Sequence, residues 1–180
     1  MLTKNINFKN FKIKKINKKI KKDLNNLLKE NNTVLQSLNT SYKNSYQKKI
    51  ILKYKKYSNI RVIGMGGSIL GTEAINDFLK NKIKKNFYFT NNLRAKINFS
   101  KKKKYLNLII SKSGNTLETI SNSNIIIKNK DENIFITENK KSYLYLLAEK
   151  LKAEIIYHNN FIGGRYSVLS EVGMLPAELM

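Results

Sequence analysis

The chain has 180 residues and no cysteine, and its formal net charge is +23. This length accommodates one ordinary α/β domain with an N-terminal extension, whereas two complete domains would be crowded. Without cysteine there is no disulfide or thiolate metal site, and the single histidine, His158, cannot build a conventional zinc cluster. No apolar run approaches the ~20 residues of a membrane span, and no signal-peptide core is present. We therefore expect a cytoplasmic protein without a metal and without a membrane partner.

The positive charge raises nucleic acid as a partner. However, only Arg61, Arg94 and Arg165 among the 35 basic residues are arginine, the side chain that phosphate and base recognition generally uses. The lysines occur with many asparagines and isoleucines, a composition that we attribute to biased coding. We therefore interpret the lysines as solvated surface and expect no nucleic-acid partner.

Residues 1–57 are predicted to be helical, with a break at residues 31–33. Apolar residues at steps of three and four define one face of the first helix: Ile13, Ile16, Ile20, Leu24, Leu27 and Leu28. A second stripe keeps the same period: Tyr42, Tyr46, Ile50, Tyr54 and Tyr57. Such a stripe is typical of a core-facing helix, and the alternatives are a partner surface or stacking platforms for single-stranded nucleic acid.

From residue 59 onward, short β-type runs alternate with helical patterns. Strands are predicted at 60–63, 87–90, 106–110, 134–137 and 155–157, and helices near 68–80, 115–129 and 141–152. This alternation predicts βαβ units in a doubly wound sandwich with a parallel sheet, which binds ligands beyond the carboxyl ends of its strands. A final helix is predicted to begin near Leu175 with Pro176 in its first turn. Because that helix reaches Met180 without a C-cap, we expect an interrupted chain.

The first glycine-rich loop, Gly64-Met65-Gly66-Gly67-Ser68, follows the first predicted strand. It is not a dinucleotide fingerprint, because Ile69 stands where glycine is needed, and it is not a P-loop, because Thr72 stands where lysine is needed. Its glycines allow close approach of the backbone to an anion at the start of a helix. Ser68 is predicted to cap that helix or to bind a phosphate oxygen.

The second loop, Ser111-Lys112-Ser113-Gly114-Asn115-Thr116, follows the third predicted strand. It offers the hydroxyls of Ser111, Ser113 and Thr116, and either Asn115 or Thr116 is expected to open the next helix. Hydrogen bonds to a charged acceptor contribute about 1.5–3 kcal/mol each. The loop could therefore hold a phosphate dianion without any arginine.

The third motif, Gly163-Gly164-Arg165-Tyr166-Ser167-Val168-Leu169-Ser170, follows the last predicted strand. Arg165 is suited to stabilising an oxyanion beside a bound sugar. The alternative is an ion pair with Glu171 or Glu154. We interpret His158 as a loop residue, since the sequence fixes no acid or base beside it.

Together, in this order, the three motifs resemble the glucose-6-phosphate isomerase family of the bacterial type. The resemblance spans about residues 59–180 and implies a sugar isomerase (SIS) domain, a flavodoxin-like three-layer α/β/α sandwich with a five-stranded parallel sheet. It implies a domain at 58–180 after a helical extension at 1–57, with a second SIS domain absent. It also implies interconversion of glucose 6-phosphate and fructose 6-phosphate through a cis-enediol, without a cofactor, in an enzyme that is a homodimer when complete.

The resemblance assigns roles by position. Gly67 and Ser68 match a substrate-contacting turn, and the six residues of the second loop match the phosphate site. Glu118 matches a carboxylate that orients the ring-opening histidine, and Arg165 matches the arginine that stabilises the enediolate. Ser113-Gly114-Asn115 departs from the Thr-Phe-Thr of many members, which leaves the subfamily open.

The family's catalytic glutamate, its ring-opening histidine and a lysine have no counterpart within the 180 residues, so we expect no isomerase activity from this chain alone. Two alternatives remain. One is an isomerase of another sugar phosphate, and the other is a non-catalytic sensor of the SIS type whose lysine-rich helices bind DNA.

Overall fold

The computed structural model describes residues 17–30, 32–93, 99–100 and 103–180. In this part of the chain one sheet has five parallel strands in the order β2-β1-β3-β4-β5. The strands are β1 (Asn59–Ile63), β2 (Asn86–Thr90), β3 (Leu106–Ile110), β4 (Glu132–Thr137) and β5 (Glu154–Tyr157). This order is that of flavodoxin-like folds, so the predicted α/β class and five-stranded parallel sheet are confirmed.

Seven α-helices lie in the described part: α1 (Lys18–Lys29), α2 (Thr33–Gln36), α3 (Lys48–Tyr54), α4 (Leu70–Phe78), α5 (Leu117–Ile126), α6 (Tyr143–Lys150) and α7 (Glu171–Leu179). Two 3₁₀ segments, Gly66–Ser68 and Gly164–Leu169, precede α4 and α7. None of these helices is long and apolar enough to cross a membrane.

Alternate residues of the central strands point to opposite faces of the sheet, and each face has its own core. On one face Val62 and Leu108 pack in a cluster with α3 and α7, whereas on the other face Ile63 and Ile109 pack in a cluster with α5 and α6. Helices therefore cover both faces, as a three-layer sandwich requires.

The predicted helical extension is only partly confirmed. Residues 37–47 are not helical, and no residue of α1 is buried. Ile13 and Ile16 lie outside the described residues. Of the predicted tyrosine stripe, Tyr54 is buried in the core, while the hydroxyl groups of Tyr42 and Tyr46 donate hydrogen bonds to glutamates of α7.

The last helix begins earlier than predicted. It starts at Glu171, so Pro176 lies in the helix interior rather than in its first turn. Proline has no N–H, and the carbonyl of Val172 therefore lacks its helical partner. The buried hydroxyl of Thr72 on α4 reaches that carbonyl oxygen at 3.4 Å. This contact lets the helix continue through the proline.

Arg61 is the largest fully buried side chain in the described part of the chain. Its guanidinium group pairs with Asp131, donates to the amide oxygen of Asn107 at 2.7 Å and lies over the ring of Tyr105. Asp131 and Tyr105 directly precede β4 and β3, so this network lies at the amino ends of the strands. The opposite, carboxyl ends carry the three sequence motifs.

Candidate functional site

The first two loops emerge side by side because β1 and β3 are neighbours in the sheet. A Cβ atom on Gly64 would lie 3.1 Å from the carbonyl oxygen of Ile110, the last residue of β3. Both loops lead into helices, α4 and α5, whose N-termini therefore face the same region. Helix N-termini favour negative charge there.

The third motif packs directly on the first loop. A Cβ atom on Gly67 would lie 2.2 Å from the carbonyl oxygen of Gly164, so only glycine allows this approach. The hydroxyl of Ser167 donates to the carbonyl oxygens of Gly164 at 2.8 Å and Gly67 at 3.3 Å. Arg165, next to this contact, is thereby brought to the edge of the first loop.

The second loop has a compact, fixed turn. Gly114 has a φ of +65°, and its carbonyl oxygen accepts from the amide of Leu144 in α6 at 3.0 Å. The hydroxyls of Ser111 and Thr116 lie 3.0 Å apart, and Thr116 is the N-cap of α5, as predicted. The side chain of Asn115 accepts from the amide of Tyr143, which ties the turn to the start of α6.

Several donors at these loops have no partner among the described residues. The free backbone N–H groups are those of Met65, Gly66, Gly67, Lys112, Ser113 and Thr116. The hydroxyl of Ser113 accepts from the amide of Asn115 and keeps its own proton available. Unpaired donors at two helix N-termini are the elements of an anion site.

Ser68 does not cap α4, contrary to the sequence prediction. It ends the 3₁₀ segment, and Ile69 occupies the N-cap position without a side-chain cap. The reason is that the 3₁₀ turn takes up the residues between strand and helix. Its partly exposed hydroxyl has no partner within the described residues and remains available to a ligand.

The charged residues of the predicted site lie in different surroundings. The ammonium group of Lys112 pairs with Glu138 at 3.5 Å and donates to the carbonyl of Asn160, so the lysine offers its backbone amide rather than its charge. Glu118 is in the first turn of α5 and has no partner in the described part of the chain. Its carboxylate is therefore available to another group.

Arg165 makes neither of the ion pairs that the sequence offered as alternatives. Glu171 is paired with His158, and Glu154 is paired with Lys53. Within the described residues the exposed guanidinium group of Arg165 has no partner. The alternative of a structural ion pair is therefore wrong.

Sequence reasoning missed the partners of His158. This residue follows β5 in a loop, as predicted, but it is buried, and its Nδ1 atom lies 2.7 Å from a carboxylate oxygen of Glu171. The same carboxylate accepts from the amide of Asn159 and from the hydroxyl of Tyr42, each at 3.0 Å. No local sequence signal could show this cluster, since its members come from distant segments.

The cluster has a consistent protonation pattern. Burial alone would raise the pKa of Glu171, but hydrogen bonds from His158 and the amide of Asn159 outweigh burial and lower it. Burial and the neighbouring Glu171 raise the pKa of Tyr42 to about 12. Tyr42 is therefore a hydroxyl donor and Glu171 is a carboxylate acceptor.

An apolar groove of about 860 Å³ adjoins the site. Gly67, Gly164 and Arg165 line it together with apolar residues of α4 and α7. Phe78 is 88% exposed beside it, and Leu70 is 55% exposed.

The strand order and the loops at the carboxyl edge define a doubly wound α/β domain of the sugar isomerase fold. A family model described as phosphoglucose isomerase matches residues 9–180. The chain belongs to the phosphoglucose isomerase family.

Relatives with known names agree with this result. The glucose-6-phosphate isomerase of Methanocaldococcus jannaschii is 42% identical in an alignment 139 positions long that covers 69% of this chain and 34% of that protein. That of Borreliella afzelii is 36% identical in an alignment 140 positions long that covers 67% of this chain and 26% of the relative. The chain thus spans about a quarter to a third of the length of these relatives.

Solved structures share the fold. A hypothetical protein of Thermus thermophilus superposes with a TM-score of 0.62 at 23% identity, covering 73% of this chain and 36% of that one. The tagatose-6-phosphate ketose/aldose isomerase of Escherichia coli superposes with a TM-score of 0.51 at 15% identity, covering 72% and 40%.

Proposed function

We propose that this chain is the sugar-phosphate-binding part of a cytoplasmic glucose-6-phosphate isomerase that interconverts glucose 6-phosphate and fructose 6-phosphate. Residues 58–180 form its first SIS domain, and residues 1–57 are an N-terminal extension to it. A second SIS domain corresponds to the length of the relatives that this chain does not span. The complete enzyme is a homodimer.

The observation that carries the proposal is the cluster of unpaired donors at the carboxyl ends of β1 and β3. The free amides of Gly67, Ser113 and Thr116 and the hydroxyls of Ser68 and Ser113 serve a tetrahedral dianion better than any neutral ligand. Ser111, Gly114 and Asn115 fix the turn that presents them. Anchoring the phosphate positions the rest of the sugar for reaction.

Arg165 and Glu118 take the remaining roles. The unpaired guanidinium group of Arg165 stabilises the negative charge of the enediolate beside the first loop. The free carboxylate of Glu118 orients the ring-opening histidine, which, like the catalytic base, comes from the part of the relatives that this chain does not span. Proton transfer between adjacent carbons requires no cofactor.

The binding role is tested by calorimetry on this chain with fructose 6-phosphate. Ser113→Ala is expected to weaken binding about 10-fold, the effect of one charge-assisted hydrogen bond. Thr116→Ala is expected to weaken binding less, because Thr116 offers the ligand its backbone amide while its hydroxyl faces that of Ser111. Ser121→Ala is the matched control, because Ser121 lies further along α5 and its hydroxyl makes no hydrogen bond in the described part. Absence of binding, or equal binding by all variants, contradicts the assignment.

Turnover and specificity need separate assays. This chain alone is expected to show no isomerisation, and in a full-length isomerase that carries these residues Arg165→Ala is expected to lower kcat by about 10²–10³-fold.

Tighter binding of mannose 6-phosphate or glucosamine 6-phosphate than of fructose 6-phosphate would favour an isomerase of another sugar phosphate. A salt-dependent DNA complex would favour the sensor.

A further inference from the structure

Arg165 lies on a loop that is closed at its base by a buried pair of side chains. The chain leaves the sheet at the end of β5, and residues 159–170 form a loop. The residues that flank this loop, His158 and Glu171, contact each other. The His158 side chain is 2% exposed and that of Glu171 is fully buried. The loop returns directly into α7, whose first residue is Glu171.

Both ring nitrogens of His158 and both carboxylate oxygens of Glu171 face hydrogen-bonding partners. The Nε2 atom of His158 lies 3.1 Å from the carbonyl oxygen of Ile162, while Nδ1 faces the carboxylate, so both ring nitrogens face acceptors. Only the doubly protonated ring donates to both. Glu171 in turn accepts from three donors: His158, the amide of Asn159 and the hydroxyl of Tyr42.

Two hydrogen bonds join the same loop to the first loop (residues 64–68) and to the second loop (residues 111–116). Ser167 donates to the carbonyl of Gly67 in the first loop, and Lys112 of the second loop donates to the carbonyl of Asn160. The guanidinium group of Arg165 itself has no partner in the described part of the chain. Its position relative to the phosphate site therefore depends on how the loop backbone is held.

We propose that His158 and Glu171, with Tyr42 as their third member, are positioning residues that fix the loop so that Arg165 faces the charge developing on the sugar. The inference rests on the proposed function of the site. In the described part of the chain no hydrogen bond joins His158 or Glu171 to the first or second loop, so they act through the backbone of residues 159–170. A loose loop would leave phosphate binding intact and would weaken recognition of negative charge at the sugar carbons.

The test compares two ligands that differ at one carbon. 6-Phosphogluconate carries a carboxylate at C1, whereas sorbitol 6-phosphate carries a neutral hydroxymethyl group there. We expect this chain to prefer the carboxylate ligand about 10-fold through Arg165, and Arg165→Ala to abolish the preference. Glu171→Gln is expected to abolish it as well, while its affinity for sorbitol 6-phosphate stays within about twofold of the unaltered chain.

Tyr42→Phe is a milder variant, because it removes one of the three donors to Glu171 and leaves the His158 contact. Tyr46→Phe is its matched control, since Tyr46 lies in the same segment but bonds to Glu178 at 2.7 Å instead. We expect Tyr42→Phe to reduce the carboxylate preference and Tyr46→Phe to leave it unchanged. An unchanged preference in both Glu171→Gln and Tyr42→Phe overturns the positioning role.

A second measurement needs no ligand and separates the two proposals. Amide hydrogen exchange at Tyr166 and Ser170 is expected to be faster in Tyr42→Phe than in Tyr46→Phe, while exchange at Leu108 in β3 stays equal. Equal exchange in the loop also overturns the positioning role. If the unaltered chain binds neither ligand, the proposed function fails, and the exchange data alone decide whether the pair holds the loop.

The single histidine of the chain provides a spectroscopic readout. A hydrogen-bonded Nδ1 proton signal of His158 is expected in the unaltered chain and in Arg165→Ala, because the pair does not depend on the arginine. Loss of that signal is expected in Glu171→Gln. Absence of the signal in the unaltered chain contradicts the pairing of His158 with Glu171.

Discussion

Arg61 is a charged residue in the middle of a buried parallel strand, where an apolar residue is usual. Its charge is tolerated because Asp131 neutralises it and because Asn107 and the carbonyl of Ile126 each accept one further N–H group. Asp131 also accepts from the backbone amide of Tyr105 at 3.2 Å. The cluster thus joins β1, β3 and the start of β4.

Removing the carboxylate of Asp131 should lower the stability of the fold. Asp131→Ala leaves an uncompensated buried charge and is expected to lower the free energy of unfolding by about 3–5 kcal/mol. Urea denaturation measures this value. Lys53→Ala is the comparison, because Lys53 forms an exposed pair with Glu154 whose loss should cost at most about 1 kcal/mol. Similar costs for the two variants would contradict the role of Asp131.

Gly66 and Gly114 both have positive φ but differ in their surroundings. Nothing lies within 4 Å of a Cβ atom on Gly66, whereas one on Gly114 would lie 2.0 Å from Oγ of Ser142. Ser142 cannot easily move, since that oxygen caps α6 by accepting from the amide of Tyr145.

We therefore expect Gly66→Ala to cost about 1–2 kcal/mol from backbone strain alone. Gly114→Ala should cost about 2–4 kcal/mol, because the displacement of Ser142 is added to the strain. Thermal denaturation of the two variants gives the comparison. Equal losses would show that the turn adjusts to the added methyl group.

At the level of single residues, sequence reasoning succeeded where a role depends on local chain geometry. Thr116, one of the two residues expected to open the helix, occupies the N-cap position of α5, because a strand, a turn and a helix follow one another within a few residues. It failed for His158, whose environment depends on Glu171 and on Tyr42, a residue 129 positions away from Glu171. The binding roles of the loop residues and of Arg165 stay predictions.

Among the elements, the five strands could be predicted to within two residues at each end. The three central strands, β1, β3 and β4, are apolar runs that are buried on both faces, and this pattern has few alternatives. The segment 37–47 was predicted to be helical from its tyrosine period and is not. Tyr42 and Tyr46 satisfy that period, but their hydroxyls bind Glu171 and Glu178 from an irregular segment. Periodicity alone cannot distinguish a helix from an irregular segment whose tyrosines have the same spacing.

The start of α7 was missed for a similar reason. Proline is usual in a first turn, and the compensation for Pro176 comes from Thr72, a residue on another helix. Thr72→Val is expected to cost about 1 kcal/mol, because the carbonyl of Val172 loses its substitute donor. Pro176→Ala restores an N–H at the correct position.

A double-mutant cycle tests this explanation. In the Pro176→Ala background, Thr72→Val should have an effect close to zero on the free energy of unfolding measured in urea. The same cost in both backgrounds would show that the hydroxyl acts elsewhere.

For the whole molecule, Glu171 connects the segment around Tyr42, the loop after β5 and α7. Its pKa in the folded chain lies below the ordinary value of 4.5, because the hydrogen bonds from His158 and Asn159 outweigh the effect of burial. A lowered carboxyl pKa stabilises the folded state above the ordinary value, and this contribution is lost as pH falls through the lower, folded value.

We accordingly expect the free energy of unfolding to decrease as the pH falls below about 4.5. Glu171→Gln should reduce this decrease in stability at low pH, the acid limb of the stability curve. Urea denaturation at a series of pH values can measure it. Glu154→Gln is the control, because that carboxylate belongs to a surface pair and should leave the limb unchanged. An acid limb identical in Glu171→Gln and the unaltered chain would refute the coupling.

The ion pair of Arg61 lies at the amino ends of the strands, and the three motif loops lie at the carboxyl ends. Substitutions that change ligand specificity can therefore be introduced at the carboxyl ends, while the ion pair at the amino ends still stabilises the sheet. A library for laboratory evolution could be restricted to the turns around Ser68 and Ser113 with Gly67 and Gly114 retained, because an added side chain at either glycine would collide with its neighbours.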